Sequence, residues 1–121
     1  MVAISKKLHV SDLSGLDLSE AEMHEADLQL ANLSEADLSG ANVYSANLRG
    51  ANLGEPNLSG AKLGWAILFK ANLRGANLAD ADLTGAELPG ADLRSGILLN
   101  SPTCPDGTNS DDNGDTCENN L

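Results

Sequence analysis

Residues 31–40 read Ala-Asn-Leu-Ser-Glu and then Ala-Asp-Leu-Ser-Gly, so that a five-residue unit restarts as soon as it ends. Read in fives from Ser11 to Asn100, the chain holds eighteen consecutive units without an insertion or deletion. The third residue is Leu in every unit except those with Met23 and Val43, and the first residue is Ala in fourteen units. A register this strict predicts a repeat architecture.

A period of five fits neither common secondary structure. An α-helix advances about 100° per residue, so successive third residues would be about 140° apart and would scatter around the helix. A flat strand fails as well, because apolar spacings of two and then three break the alternation that keeps side chains on one face. The pattern therefore predicts a coil of short parallel strands with a corner in every unit.

The corners have a sequence signature of their own. The fifth residue is often Gly, which best tolerates the positive φ at the third position of a type II turn. We expect type II turns at the Gly corners and other turns at the corners that carry Glu20, Glu25, Glu35, Asp80 or Trp65. The second residue is mostly Asp or Asn, which predicts an outward side chain that bonds nearby backbone.

Tandem A-(D/N)-L-x-x units resemble the pentapeptide repeat family, which is abundant in cyanobacteria, and the resemblance covers about three quarters of the chain. It implies an all-β fold, a right-handed quadrilateral parallel β-helix with four units per coil and about 4.5 coils or slightly more. Leu and Ala would point inward and the remaining side chains outward. Leu8 extends one column of Leu residues backwards, so we expect the coil to begin before Ser11.

The chain divides into three parts on this interpretation. Residues 1–10 form an N-terminal cap or first strand, residues 11–100 form the β-helix, and residues 101–121 form a capping tail bracketed by two cysteines. Leu98, Leu99 and Leu121 are expected to plug the upper end. No run is long enough to span a membrane, and no cofactor is expected.

The tail carries the clearest chemical signal outside the repeat. Cys104 and Cys117 are the two cysteines, and we expect a disulfide between them that holds the polar tail. Such a bond predicts an oxidising compartment, the periplasm or the thylakoid lumen, with this chain as a mature form without its signal peptide; the alternative is a cytoplasmic protein with free thiols. Calcium binding between Asn109 and Asn120 is a weaker alternative, because Asn120 stands where a calcium loop has a bidentate Glu.

Large apolar side chains at outward positions form the candidate interaction patch. Tyr44, Trp65, Ile67 and Phe69 occupy fourth, fifth, second and fourth positions of their units, where most units carry polar or small residues. In the four-sided coil, Arg49 would lie one coil below Phe69 and Pro89 one coil above, with Lys62 and Lys70 at the rim. Exposed apolar clusters often mark interfaces, although these side chains could also pack within the monomer.

The expected function class follows from the net charge and from the lack of a recognisable catalytic arrangement of residues in the sequence. The net charge is −11, with an acidic first coil and a slightly basic middle, and we expect no direct nucleic acid binding. Two histidines without an evident pocket argue against an enzyme. We therefore expect a non-enzymatic structural or protein-binding module with an unknown protein partner or a weak homodimer. The alternative, drawn from family members linked to quinolone resistance, is a DNA mimic that binds DNA gyrase.

Overall fold

The structure is a computed structural model that describes residues 7–95 and 103–105. It is the right-handed quadrilateral β-helix that the repeat predicts, and the described residues form no helix. Each strand is reduced to one bridging residue, the second of its unit, which pairs in parallel with the residue twenty positions later. Face 1 stacks residues 12, 32, 52, 72 and 92, face 2 stacks 17, 37, 57 and 77, face 3 stacks 22, 42, 62, 82 and 103, and face 4 stacks 7, 27, 47, 67 and 87. The pairing of Lys7 with Asp27 confirms that the coil begins before Ser11.

The core consists of the first and third residues of the units. Third residues from Leu18 to Leu88 and first residues from Ala21 to Ala86 are buried, while Leu8, Leu13 and Leu93 are partly buried against them. Burying one such Leu contributes roughly 1.5–3 kcal/mol. The small Ala side chains leave room for Leu to fill the square interior, so a core forms without a single inward aromatic ring.

Every corner has the same backbone conformation, so the expectation of different turns at the non-glycine corners is wrong. All fifth residues from Val10 to Ser95 have positive φ, between 55° and 74°. The turn closes when the N–H of the next first residue donates to the third residue, as Ala36 does to the Leu33 carbonyl at 3.2 Å. Positive φ at the third position of a hydrogen-bonded turn is typical of type II.

The stacked backbone explains why residues other than Gly adopt this conformation. The N–H of each corner residue from Val10 to Gly75 donates to a carbonyl one coil above, as Trp65 does to Thr84 at 2.9 Å. This ladder offsets the roughly 1–2 kcal/mol that a left-handed conformation costs a non-glycine residue. The turn from Leu53 to Pro56 lacks its closing hydrogen bond, because Pro56 has no N–H.

Asn and Asp side chains form a second ladder on the outside. On face 1 the Nδ2 of Asn72 donates to Oδ1 of Asn52 at 2.9 Å, Asn52 donates to Asn32 at 3.0 Å, and Asn32 donates to Asp12 at 3.2 Å. The same oxygens accept backbone N–H groups two residues on, such as Gly54 N–H to Asn52 Oδ1 at 3.2 Å, which confirms the outward polar site. A carboxylate only accepts, so Asp12 fits the lower end of this ladder, where it accepts from Asn32.

One β-bridge continues the coil beyond the eighteen repeat units. Thr103 pairs with Asp82 on face 3, an interval of twenty-one residues instead of twenty. Its N–H donates to the Ala81 carbonyl, and its carbonyl accepts from Leu83 N–H, both at 2.8 Å. Cys104 is therefore buried, at the place where a Leu would continue the column above Leu83. The proposed plug of Leu98, Leu99 and Leu121 lies outside the described residues.

Candidate functional site

Corner glycines make room for a large side chain in the coil below. A Cβ built on Gly85 would lie 2.6 Å from Cδ2 of Trp65, and one on Gly50 would lie 2.8 Å from Cδ2 of Leu30. No real pair of such atoms approaches so closely, so the indole of Trp65 leans upward into space that only Gly85 leaves. Trp65 nevertheless remains 60% exposed.

Tyr44 uses a glycine in the same way on face 3. A Cβ on Gly64 would lie 3.1 Å from Cδ2 of Tyr44, so the phenol ring covers the backbone of Gly64, which is buried. Tyr44 remains 48% exposed. Because Gly64 directly precedes Trp65, the two rings lie on adjacent parts of the corner that joins face 3 to face 4.

Ile67 interrupts the amide ladder of face 4. Below it, Nδ2 of Asn47 donates to Asp27 at 3.5 Å and to Gln29 at 3.4 Å. Ile67 pairs with Asn47 through the backbone but offers no amide to the Asn47 side chain. It also offers no oxygen to the N–H of Phe69, two residues on, although this contact recurs along the described chain, for example from Gly54 to Asn52. Ile67 is thus a departure from the pattern that stabilises the outer surface.

Phe69 lies against two cations. The guanidinium carbon of Arg49, one coil below, is 4.9 Å from the ring centroid, and Nζ of Lys70 is 5.2 Å from it. Both distances are within the range of cation–π attraction. Phe69 is consequently only partly exposed, as is Ile67.

The four apolar side chains lie next to one another around one corner of the coil. The aromatic patch, defined as Tyr44, Trp65, Ile67 and Phe69, runs from face 3 across the corner to face 4. Trp65 and Tyr44 provide most of its exposed apolar surface, while Arg49 and Lys70 lie at its far side on face 4. Lys62, expected at the rim, lies on face 3 beside Tyr44.

Three further exposed apolar residues were not anticipated from the sequence. Val10 is 68% exposed, Leu30 58% and Leu16 46%. Leu30 and Val10 are fifth residues on the corner between face 4 and face 1, and reading that corner column in steps of twenty would have shown them one above the other. Leu16 is a first residue near the lower end of the coil.

Face 3 also carries an open groove of about 470 Å³. The groove is lined by acidic and basic side chains, an amide, an imidazole and a phenol: Glu22, His24, Asn42, Tyr44, Lys62 and Asp82. His24 Nδ1 is 3.6 Å from Glu22 Oε2, which in turn accepts a 2.8 Å hydrogen bond from Asn42 Nδ2. A general base needs a partner and an enclosed site, and this groove is open along one flat face.

Neither a metal centre nor a membrane span is evident in the described part of the chain. Among residues 7–95 and 103–105, no group of three or more His, Cys, Asp and Glu side chains could hold a metal ion. The same residues include no helix that is long and apolar enough to cross a membrane. The calcium alternative between Asn109 and Asn120 falls outside the described residues.

The disulfide and the compartment it implies stay predictions. Cys104 is fully buried in the structure, whereas Cys117 lies outside the described residues. The burial of Cys104 places one end of the predicted bond at the top of a core column. The periplasmic or lumenal location depends on that bond.

Hydrogen bonds lower the pKa of exposed carboxyls on faces 1 and 2. The Ser14 and Ser19 side chains lower the pKa of Asp12 and Asp17, respectively. Asp92 is bound by both Nε and Nη2 of Arg94, at 2.8 and 2.7 Å, and these side-chain hydrogen bonds lower its pKa from 3.8 to about 2. A lowered pKa means that the folded state binds the proton more weakly than the unfolded chain. Stability from Asp92 is therefore present above pH 3.8 and lost as the pH falls towards 2.

Removing the Arg94 guanidinium should return the pKa of Asp92 to its ordinary value. We expect Arg94→Gln to raise the pKa of Asp92 towards 3.8, whereas Arg74→Gln should change it little, because Arg74 acts on Asp92 only through a smaller Coulomb attraction. Carboxyl carbon NMR titrations of both variants measure the shift. Equal pKa values for Asp92 in the wild type and in Arg94→Gln would contradict the assignment.

Comparisons with known proteins identify the repeat. A family model described as pentapeptide repeats matches in eight copies, over residues 11–34, 17–54, 31–68 and 57–98. A crystal structure of a pentapeptide repeat protein from Nostoc Pcc 7120 is 37% identical with a TM-score of 0.62. The match covers 63% of each chain, so this chain spans less than two thirds of that protein.

Two further solved structures match with lower scores. A pentapeptide repeat protein of the Arabidopsis thaliana thylakoid lumen is 25% identical with a TM-score of 0.48, over 94% of this chain and 92% of that one. QnrB1, a plasmid-mediated fluoroquinolone resistance protein, is 21% identical with a TM-score of 0.46, over 78% of this chain and 63% of that one. No curated protein matches the sequence significantly.

Proposed function

Since the chain belongs to the pentapeptide repeat family, we propose that it is a non-enzymatic protein-binding module that holds another protein on its aromatic patch. The β-helix supplies a rigid support, because every described corner has one conformation and every coil is hydrogen-bonded to the next. Binding residues on such a support lose little freedom when a partner docks.

The observation that carries this proposal is Ile67. An Asn at this position would reach the Asn47 side chain below and could accept the Phe69 N–H, as the second residues of other units do. The chain instead places an apolar side chain there, two residues from the exposed indole of Trp65. A departure from the stabilising pattern that creates a larger apolar surface is expected of a binding site.

Charge favours a different protein over a second copy as the occupant. Each copy carries a net charge of −11, so two copies repel one another as they approach. The patch itself is flanked by Arg49 and Lys70, which attract negative groups on a partner. A weak homodimer is therefore an outcome that the experiment must distinguish.

The patch variant should lose its partner without losing its fold. We expect Trp65→Asn with Ile67→Asn and Phe69→Ser to keep the wild-type circular dichroism spectrum, since none of these side chains points into the core. Asn tolerates the positive φ of 58° at position 65. Quantitative affinity capture from an extract of the source organism should show at least one protein that binds the wild type and is lost, about tenfold or more, with the variant.

The matched control is Leu30→Asn, which also removes an exposed apolar side chain from a corner residue with φ of 58°. It should retain the wild-type set of captured proteins. Identical sets for the wild type and the patch variant would overturn the proposal. If light scattering showed a dimeric wild type and a monomeric patch variant, the occupant of the patch would be a second copy of this chain.

The alternative, a DNA mimic that binds gyrase, finds less support in the charge distribution. Double-stranded DNA presents one charge about every 1.7 Å without interruption. The exposed cations Arg49, Lys62, Lys70 and Arg74 interrupt the negative surface halfway along the coil. An assay of gyrase supercoiling in the presence of the protein separates this function from the binding module.

A further inference from the structure

We propose that the segment held on the aromatic patch is both apolar and acidic, with its carboxylates bound by Arg49 and Lys70. This inference rests on the proposed function, because it names the chemistry of the partner at the same surface. It depends on the positions of the two cations, on the way they contact Phe69, and on the distribution of charge around them.

Arg49 and Lys70 are exposed cations that lie on one side of the patch. Neither forms an ion pair with a carboxylate among residues 7–95 and 103–105, where the salt bridges of Arg94, His9 and His24 are found. Arg49 approaches Phe69 from the coil below, while the Lys70 side chain rises beside Gly90 in the coil above, where a Cβ would meet Cγ of Lys70 at 3.1 Å. The two charges are thus held at two levels of one corner.

The contact with Phe69 leaves these cations able to bind an anion. A guanidinium that lies over a ring uses its flat face, whereas its N–H groups point along the edge and remain available as donors. Carboxylates bind such a fork through two parallel hydrogen bonds. The ring therefore orders Arg49 before a partner arrives, which reduces the entropy lost on binding.

The surroundings make this the place for an acidic segment. Between residues 41 and 75 the chain has one acid, Glu55, which is a corner residue on the edge between face 1 and face 2. Glu87, above Ile67 on face 4, is the nearest opposing charge along that column. The acidic first coil lies directly below the coil of Arg49, where Asp27 pairs with Asn47, and salt weakens the repulsion from its carboxylates.

The apolar character of the bound segment is inferred from Trp65 and Tyr44, at the end of the patch away from Arg49 and Lys70. Trp65 and Tyr44 are 60% and 48% exposed, and among residues 7–95 and 103–105 no cation lies over either ring. A segment that lies across face 4 can place an apolar side chain on the indole and a carboxylate at Arg49 and Lys70.

Three synthetic peptides of equal length test this assignment on the full chain. All share Leu and Phe anchors, and the intervening polar residues are Asp and Glu in the first, Asn and Gln in the second, and Lys in the third. Trp65 is the single tryptophan, so its emission reports occupancy of the patch directly. At 0.1 M salt we expect the acidic peptide to bind about tenfold more tightly than the amide peptide, and the Lys peptide to bind least.

Variants assign the preference to the two cations. Arg49→Gln with Lys70→Gln should make the acidic and amide peptides bind equally, while the amide peptide keeps its wild-type affinity. Arg74→Gln, which removes a cation from face 1, should leave the tenfold preference unchanged. Raising the salt to 0.5 M should reduce the preference in the wild type.

Several results would overturn the inference. Equal binding of the acidic and amide peptides to the wild type, preference for the Lys peptide, or no binding of any peptide would each remove the acidic segment as the occupant. None of these results bears on the differential capture of a partner by the wild type and the patch variant, so the proposed function stands or falls separately. Emission from Trp65 that shifts with protein concentration alone would identify a second copy instead.

Discussion

Leu53→Asp is expected to unfold the protein or to divide the coil into separately unfolding parts. Leu53 is 1% exposed and lies in the column between Leu33 and Leu73, which are 0% exposed. Removing a buried Leu costs roughly 2–5 kcal/mol, and an unpaired carboxylate in the same place adds a further penalty. Together these exceed or approach the whole stability of a typical domain, about 5–15 kcal/mol. Urea denaturation followed by circular dichroism measures the loss.

The neighbouring substitution Asn52→Ala is the control for this variant. Asn52 points outward, where it donates to Asn32 and accepts from Asn72, so its loss should cost about 1–2 kcal/mol for ladder hydrogen bonds. The coil should remain folded, with a lower urea midpoint. Equal stability of Leu53→Asp and Asn52→Ala would contradict the assignment of inward and outward positions.

Ala51→Leu is expected to produce the second large effect, because the interior has no space for it. Ala51 is 0% exposed, and so is Ala31 one coil below. Extra methylene groups in a filled core usually cost about 1–3 kcal/mol, and more where the backbone cannot move. The hydrogen-bonded coils above and below Ala51 restrict such movement, so we expect the upper end of this range in the urea midpoint.

Glu35→Leu adds a similar side chain at an outward corner and serves as the control. Leu30 shows that a Leu is accommodated at a corner with φ of 58°, the same value as at Glu35. The substitution should change stability by less than about 0.5 kcal/mol. If the two variants lost the same stability, small first residues would not be required by the interior.

The sequence predicted the fold because each of its signals agreed with the others. Leu and Ala at fixed positions gave the inward columns, and the interval of twenty gave the four faces. The corners were predicted only in part, since a rule based on Gly alone ignored the ladder that holds residues such as Glu20 and Trp65 at positive φ. The rung at Thr103 was missed because one extra residue shifts it out of the register of five.

The candidate site was predicted less completely than the fold. Composition and register identified Tyr44, Trp65, Ile67 and Phe69 as outward and unusual, and in the structure Tyr44 and Trp65 are exposed while Ile67 and Phe69 are partly exposed. Stacking contacts between coils decide how far each is covered, and these depend on residues twenty positions away, such as Arg49 below Phe69.

If Ile67 serves binding at the expense of the outer ladder, replacing it with Asn should not destabilise the fold, and the stability of Ile67→Asn is the decisive measurement. The new amide can donate to Asn47 Oδ1, and its oxygen can accept the Phe69 N–H, two bonds that recur on face 1. We expect a free energy of unfolding in urea that is unchanged or higher by about 1 kcal/mol. A decrease of about 1 kcal/mol or more would contradict it, because Ile67 would then stabilise the monomer by packing.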